Sequence, residues 1–354
     1  MENMEMNKFF WKDRKVFITG HTGFKGGWIS LWLNSMGAKI YGYAREPNTN
    51  PNFFSVANLS SIFEESFLGE INDIENLSES LNKCKPSIIF HMAAQPIVKD
   101  SYLHPVETYE TNVMGTVNIL EAARNSESVK VIINITSDKC YENKEWIWPY
   151  RENDRLGGKD PYSNSKACAE LITNSYKLSF LDQKGIGIAS VRAGNVIGGG
   201  DWSKDRLIPD FFRALKNSEI LNIRSPNSIR PWQYVLEPIS GYILLAEKLT
   251  NNISTYSGGW NFGPKSSDFW PVSAVIKFLA KKEDKLKWHF NEKVEFHEAR
   301  ILKLDSTKAR EELNWKSKWN VEKALLKTLQ WHEAFEKEYD MKKFSLKQIE
   351  DYLD

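Results

Sequence analysis

The chain has 354 residues, and 47 lysines and arginines against 46 aspartates and glutamates leave a net charge of +1. No strong field therefore draws it to nucleic acid or an anionic membrane, and its cations are spread out rather than gathered in a stripe. Three cysteines, Cys84, Cys140 and Cys168, have neither metal spacing nor an even count, so free thiols and a reducing cytoplasm are expected. Residues 1–14 lack an apolar signal core, and no run approaches the roughly 18 apolar residues of a membrane span.

Lys15-Val-Phe-Ile-Thr19 reads as a short apolar strand. The glycine turn Gly20-His-Thr-Gly23-Phe-Lys-Gly26-Gly27 follows, then a helix-like apolar stretch over 28–36. Strand, glycine turn and helix in this order are the context of a dinucleotide fingerprint. Gly20 permits the tight turn, Gly23 the approach of backbone to a pyrophosphate, and Gly26 close packing of helix on strand. The helix N-terminus then faces the phosphates. The next strand, 38–43, ends at Ala44-Arg45-Glu46. A carboxylate there holds the ribose of NAD and an arginine accepts the extra phosphate of NADP, so Arg45 leaves the choice open. Glu46 serves the ribose or is a solvated loop charge.

Further strand-like runs cover 88–91, 131–136 and 187–192, with helical stretches over 106–126 and 161–181 between them. This alternation implies an α/β fold, a Rossmann doubly wound parallel sheet with right-handed crossovers. After Arg192 the pattern loosens, broken by Gly198-Gly-Gly200, Pro209, Pro226, Pro231 and Pro264. The expected division is a dinucleotide-binding domain over 1–192 and a smaller C-terminal substrate-binding lobe over 193–354. Val321, Ala324, Leu325 and Thr328 stand at helical spacing in a closing helix over 321–331. Trp32, Trp146, Trp148, Trp315 and Trp331 are expected to be packing residues.

Two short stretches carry the chemistry. Tyr162 and Lys166 lie one turn apart on one helix face. An ammonium beside a phenol favours the phenolate and lowers its pKa from about 10. Tyr162 is therefore the candidate base for a sugar or alcohol hydroxyl. Ser137-Asp138-Lys139 brings a hydroxyl, a carboxyl and an amine just beyond an apolar strand, where ligands of open α/β sheets sit.

In these motifs the chain resembles the extended short-chain dehydrogenase/reductase family over nearly all its length. Thr19-Gly-x-x-Gly-Phe-x-Gly26 resembles the family's glycine motif, which implies cofactor contacts from Gly20, Thr22, Gly23, Phe24, Lys25 and Gly26. His91-Met-Ala-Ala-Gln95 resembles the motif whose Ala93, Ala94 and Gln95 line the cofactor. Asn112 matches the helix residue that supports the active site, and Ser137, Tyr162 and Lys166 match the catalytic set. In Glu70-Ile71-Asn-Asp73 the family more often has Asp first, contacting adenine, and Glu70 departs from that pattern.

Nucleotide-sugar 4,6-dehydratases carry a hydroxyl–Asp–Glu triplet where this chain has Ser137-Asp138-Lys139. Lysine in third place resembles one subgroup, the CDP-glucose 4,6-dehydratases. So do HMAAQPIV at 91–98, SDKCY at 137–141, RAGNVIGGGDW at 192–202, RPWQYVLE at 230–237 and His297-Glu298-Ala299. The resemblance implies a lyase with internally recycled NAD that converts CDP-D-glucose to CDP-4-dehydro-6-deoxy-D-glucose and water. Tyr162 takes the C4 hydroxyl proton while the C4 hydride passes to the nicotinamide. Ser137 hydrogen-bonds the forming carbonyl, and Lys166 holds the phenolate and the nicotinamide ribose. The C4 ketone acidifies C5, Lys139 is the base there, Asp138 is the acid at C6, and hydride returns to C6. Lys139 acts as base only if substantially neutral, which a protonated Asp138 favours; the alternative is an ordinary ion pair between them.

For the substrate, Asn195 resembles the residue contacting the diphosphate, and Arg206 and Arg230 are the cations suited to neutralise it. Gln95, Ser137 and Trp232 are expected in the same cleft. Asp201 and Trp202 follow the triple glycine, where a mobile loop is expected to close over the ligand. The family's chain crosses between lobes more than once, here near 232–258. Its helices corresponding to 106–126 and 161–181 meet across a subunit contact, so a homodimer or homotetramer is expected, with Ala167, Ala169, Leu171 and Tyr176 left to bury. The product class feeds deoxysugars of bacterial surface polysaccharide such as lipopolysaccharide O-antigen. Other readings are an epimerase on the same fold, a dehydratase of another nucleotide sugar, and a catalytically silent NAD-binding regulator.

Overall fold

A computed structural model describes residues 7–291 and 299–354, so His297 and Glu298 lie outside the described residues. Seven strands form the central sheet: β1 Lys15–Thr19, β2 Lys39–Ala44, β3 Phe63–Leu68, β4 Ile88–His91, β5 Val131–Ile135, β6 Gly187–Ala193 and β7 Gly258–Phe262. Their order is β7-β6-β5-β4-β1-β2-β3, and every pairing is parallel. β4, β5 and β6 are buried at every position, which is why they read as continuous apolar runs. The strand order reverses between β1 and β4, so the crevice beyond their carboxyl ends is the expected ligand site.

Two sheet strands escape the sequence reading. β3, Phe63-Glu-Glu-Ser-Phe-Leu68, is an edge strand with alternating exposure and carries no apolar run. β7 brings the chain back to the sheet after the irregular region, beside β6. The helix after the glycine turn begins at Phe24, so Gly26 and Gly27 lie within it. The helix expected over 106–126 is Pro105–Tyr109 and Gly115–Arg124 joined through a π-turn at Glu110–Met114, and that turn carries Asn112. The one expected over 161–181 is Pro161–Tyr176 followed by a π-turn, Lys177–Leu181.

Beyond β6 the far lobe uses short pairings: Val196–Ile197 with Gln233–Tyr234, Ile229–Pro231 with Phe269–Pro271, and Ile220–Arg224 with Lys287–Asn291. The closing helices Val321–Glu336 and Met341–Leu353 pack back on the first half of the chain. Trp32 meets Tyr352 edge-on at 5.7 Å, and Phe53 meets Trp331 at 5.9 Å. Buried Glu237 anchors this return, accepting from the amides of Lys318 and Trp319 and from the Tyr352 hydroxyl.

Several packing expectations need correction. Trp32, Trp315 and Trp331 are buried, but Trp146 and Trp148 are 40% and 66% exposed on a surface loop, where Trp146 stacks on Tyr150. Ala167 and Ala169 bury within their own chain, leaving Leu171 exposed. The segment after the triple glycine is wedged rather than free. Trp28 Nε1 donates to Gly199 O at 2.9 Å, a Cβ on Gly199 would stand 1.9 Å from the Trp331 ring, and Trp202 packs on Trp331 and Phe335.

Candidate active site

The glycine turn is built to leave room. Gly20 has φ +74°, and a Cβ there would lie 2.7 Å from Ala93 N; one on Gly26 would lie 2.2 Å from Gly20 O. Thr19 fixes the neighbouring strand end, its Oγ1 accepting from Met92 N and Ala93 N at 3.1 and 3.2 Å. Gly23 gives the following helix no side-chain cap, so its first-turn amides are open to a phosphate. Thr22 donates to Arg45 O at 2.9 Å. Arg45 is exposed and ion-paired with Glu70 at 3.2 Å and Glu107 at 3.5 Å. Ile71 packs its side chain in the core, and its carbonyl accepts from Asn118 Nδ2.

Asn112 staples three segments. Its Oδ1 accepts from Gln95 N, and its Nδ2 donates to Gln95 O and Ser165 Oγ. This sets Ser165, and hence the Tyr162 helix, against the β4 loop that carries Ala93 and Ala94. The Gln95 amide folds back on Ile97 and Thr108, which fixes this loop beside the cleft.

The cleft brings most of the expected residues together. Phe24, Lys25, Ser137, Asp138, Lys139 and Tyr162 line one wall, and Asn195, Arg206, Arg230 and Trp232 the other. Ser137 caps the short turn Asp138–Cys140, accepting from Lys139 N at 3.2 Å and donating to Asp138 Oδ1 at 3.1 Å. Tyr162 lines the same wall, and the Ser137 hydroxyl favours its phenolate. Asp160 caps the Tyr162 helix through Ser163 N, and Pro161 opens it. Asp138 is 2% exposed, and its Oδ2 has no hydrogen-bond partner among the described residues.

Burial pushes the Asp138 carboxyl up, against the pull of Lys139, Ser137, Arg230 and Lys25. That favours the protonated acid. Burial likewise pushes the Tyr162 phenol up to about 12, only partly opposed by the Ser137 hydroxyl. The expected lowering by Lys166 is not met here, because Lys166 Nζ reaches Ile135 O at 3.5 Å and burial dominates. Lys166 is brought down to about 8 by burial and by Lys25, and Lys25 to about 8 by burial and by Arg206.

On the far wall, Arg206 pairs with Asp201 at 3.0 Å. Arg230 is buried, donating to Ile229 O at 3.1 Å, and Trp232 Nε1 donates to Trp270 O. Asn195 gives its carbonyl to Gln233 N. Lys99 and Arg224 both approach Asp205, at 3.6 and 3.7 Å, in the cleft lining. Sequence reasoning missed that triad, because its members come from separate segments with no shared spacing.

Sheet order, glycine turn and the Ser137–Tyr162–Lys166 set define an extended short-chain dehydrogenase/reductase. Residues 17–328 match the model of the family described as GDP-mannose 4,6 dehydratase, and the chain belongs to that family. It is 49% identical to a CDP-glucose 4,6-dehydratase of Salmonella typhimurium over 98% of both chains. It is 26% identical to a dTDP-D-glucose 4,6-dehydratase of Dictyostelium discoideum over 66% of this chain and 56% of that one. Among solved structures, UDP-glucose 4-epimerase of Thermotoga maritima superposes with TM-score 0.78 at 22% identity, over 90% of this chain and 98% of that one. A dTDP-glucose 4,6-dehydratase of Bacillus anthracis, in complex with NAD, gives 0.74 at 21% identity, over 93% and 99%. At those identities the likeness shows the fold.

Proposed function

We propose that this chain is a CDP-glucose 4,6-dehydratase, a hydro-lyase that uses NAD within its cycle. One observation carries the chemistry: a buried Asp138 with a free Oδ2 shares a cleft with Lys139, Ser137 and Tyr162. Epimerisation at C4 needs only oxidation and return of the hydride to C4, whereas removal of water across C5 and C6 needs an acid and a base as well. The nucleotide preference rests on the likeness to the Salmonella enzyme.

The turn fits a dinucleotide, since any side chain at Gly20 or Gly26 would collide with backbone. Gly20, Gly23, Phe24, Lys25 and Gly26 would hold its pyrophosphate, with Ala93 and Ala94 beside it. Glu70 and Glu107 flank Arg45, and two carboxylates oppose the extra phosphate of NADP, so NAD is the better fit. When bound, NAD supplies a hydride acceptor at C4 of the sugar and a donor at C6.

The side chains do the rest. The Tyr162 oxygen, as the phenolate, receives the C4 hydroxyl proton, and Ser137 donates to the new carbonyl oxygen. Lys166 holds the phenol's surroundings positive. With C4 a ketone, loss of the C5 proton leaves a carbanion delocalised as an enolate, and Lys139 takes that proton. Asp138, whose carboxyl burial pushes up toward the protonated form, gives its proton from Oδ2 to the C6 hydroxyl, which leaves as water. Arg206 and Arg230 neutralise the diphosphate, Asn195 contacts it, and Trp232 walls the cleft.

We infer a homodimer. Leu171 and Leu178 are exposed along the segment that carries Tyr162, and Val106 and Met114 along the neighbouring one, an apolar area that a second copy would cover. A monomeric mass by light scattering would remove that reading. Three free cysteines support a reducing cytoplasm, and among the described residues no helix is long and apolar enough to cross a membrane.

The test is mass spectrometry after separate incubation of CDP-glucose, UDP-glucose, dTDP-glucose and GDP-mannose with the protein and catalytic NAD. Loss of one water from CDP-glucose alone is expected. Loss from another nucleotide would keep the mechanism and reject the base preference. No loss with NAD bound would turn the reading to an isomerase or a silent regulator.

A further inference from the structure

Behind the catalytic residues lies a buried carboxylate that the chemistry above does not use. Glu170 stands one turn beyond Lys166 on the helix Pro161–Tyr176 and is 4% exposed. Its Oε1 accepts from Thr136 Oγ1, the residue before Ser137, and from Arg192 Nε at 2.8 Å. Its Oε2 accepts from Ser190 Oγ and from Arg192 Nη2 at 2.7 Å. Arg192 Nη1 then donates to the Tyr141 hydroxyl at 2.7 Å, and Tyr141 donates to Asn261 Oδ1 on β7 at 2.7 Å. All four acceptor directions of the carboxylate are filled.

We propose that Glu170 is a positioning residue of this active site, fixing the end of β5 that carries Ser137–Lys139 against the helix that carries Tyr162 and Lys166, and acting as the counter-charge that keeps Lys166 an ammonium. The proposal rests on the roles given above to Lys166 and Tyr162. A buried ion pair is weak evidence for stability, because apolar residues of similar volume commonly serve as well. A charge here needs another reason, and Lys166 supplies it. Lys25 from the glycine-turn helix disfavours a protonated Lys166, and His91 of β4, neutral by burial, gives it no counter-charge. Glu170, one turn away on the same helix, opposes that burden. Burial would raise Glu170 itself, but Arg192 and the two hydroxyls bring it below the usual carboxylate range, so it is ionised at neutral pH.

Glu170→Gln leaves Arg192 buried with half its partner lost, and that variant alone would confuse misfolding with a charge effect. The test therefore uses the full chain as Glu170→Gln/Arg192→Met, which removes both charges, beside wild type. The first readout is nitrogen NMR titration of the Lys166 amine in lysine-labelled protein, assigned through Lys166→Arg. The second is the pH profile of kcat/KM on the nucleotide sugar. The expected result is a folded double variant whose Lys166 midpoint falls by about one pH unit or more. The alkaline limb of its profile moves down with it, and kcat drops while KM stays within about twofold. An unmoved Lys166 midpoint in a folded double variant would overturn the proposal. A moved midpoint in the double variant, beside a wild type that turns over no nucleotide sugar, would keep the role of Glu170 and reject the dehydratase reading instead.

Discussion

The two walls of the cleft are held in different ways. On the sheet side Ser137, Asp138 and Lys139 leave the end of β5, Tyr162 and Lys166 leave a capped helix, and Asn112 and Ser165 tie that helix to the β4 loop. On the far side Arg206, Arg224 and Arg230 sit on short or irregular segments, and two of them are balanced by carboxylates of their own lobe. The first wall is fixed before any ligand arrives, as bond-making groups need to be. The second holds its cations against internal anions, with which an incoming diphosphate must compete. Rate should therefore depend on the sheet wall and affinity on the far wall.

The sharpest way to break that contrast is to mutate the sheet wall. Tyr162→Phe and Asp138→Asn are each expected to lower kcat by about 10²–10⁴-fold with little change in KM. Lys139→Ala should still allow oxidation at C4 yet block entry of solvent deuterium at C5; normal dehydration by that variant would remove its role as base. Next in size, Gly26→Ala should lose NAD binding by calorimetry, because its Cβ meets Gly20 O at 2.2 Å, with overpacking that costs about 1–3 kcal/mol. On the far wall, Arg230→Lys should raise KM by about tenfold, the worth of roughly 1.4 kcal/mol of lost bidentate contact, and leave kcat nearly unchanged. A fall in kcat instead would place Arg230 in the chemistry.

The smallest effect concerns the joint between the halves. Burial pushes Glu237 up to about 7, despite the bonds from Trp319, Tyr352 and Lys318. Its folded value lies above its unfolded one of about 4.3. The folded state therefore keeps a proton that the unfolded chain releases. Its contribution to stability is full below about pH 4.3 and is lost as pH rises toward 7. The thermal midpoint of wild type relative to Glu237→Gln should accordingly decline between about pH 5 and 7.5. A difference that does not change with pH would contradict it.

The sheet wall was largely legible in the sequence. Buried parallel strands are continuous apolar runs, and a glycine turn between strand and helix has few other uses. The edge strand β3 was not legible, since Phe63-Glu-Glu-Ser-Phe-Leu68 alternates like a surface loop. Tyr162 could be named from its spacing to Lys166, but the spacing says nothing of the burial that raises its phenol. Gln95 was placed at the ligand by its motif, which says nothing of the bond its amide makes to Thr108. Trp146 and Trp148 share a residue type with the buried tryptophans, but they occupy a loop that the core does not reach. Glu170 and Arg192 were hidden for a simpler reason: their bond joins a helix to a strand 22 positions on, with no motif between them.

The claim that one cleft oxidises C4, eliminates water and returns the hydride to C6 is tested most directly with CDP-glucose deuterated at C4. After incubation with the protein and NAD, the expected product has lost one water and carries the deuterium at C6. Deuterium still at C4 in a sugar of unchanged mass, or lost to solvent, would contradict it.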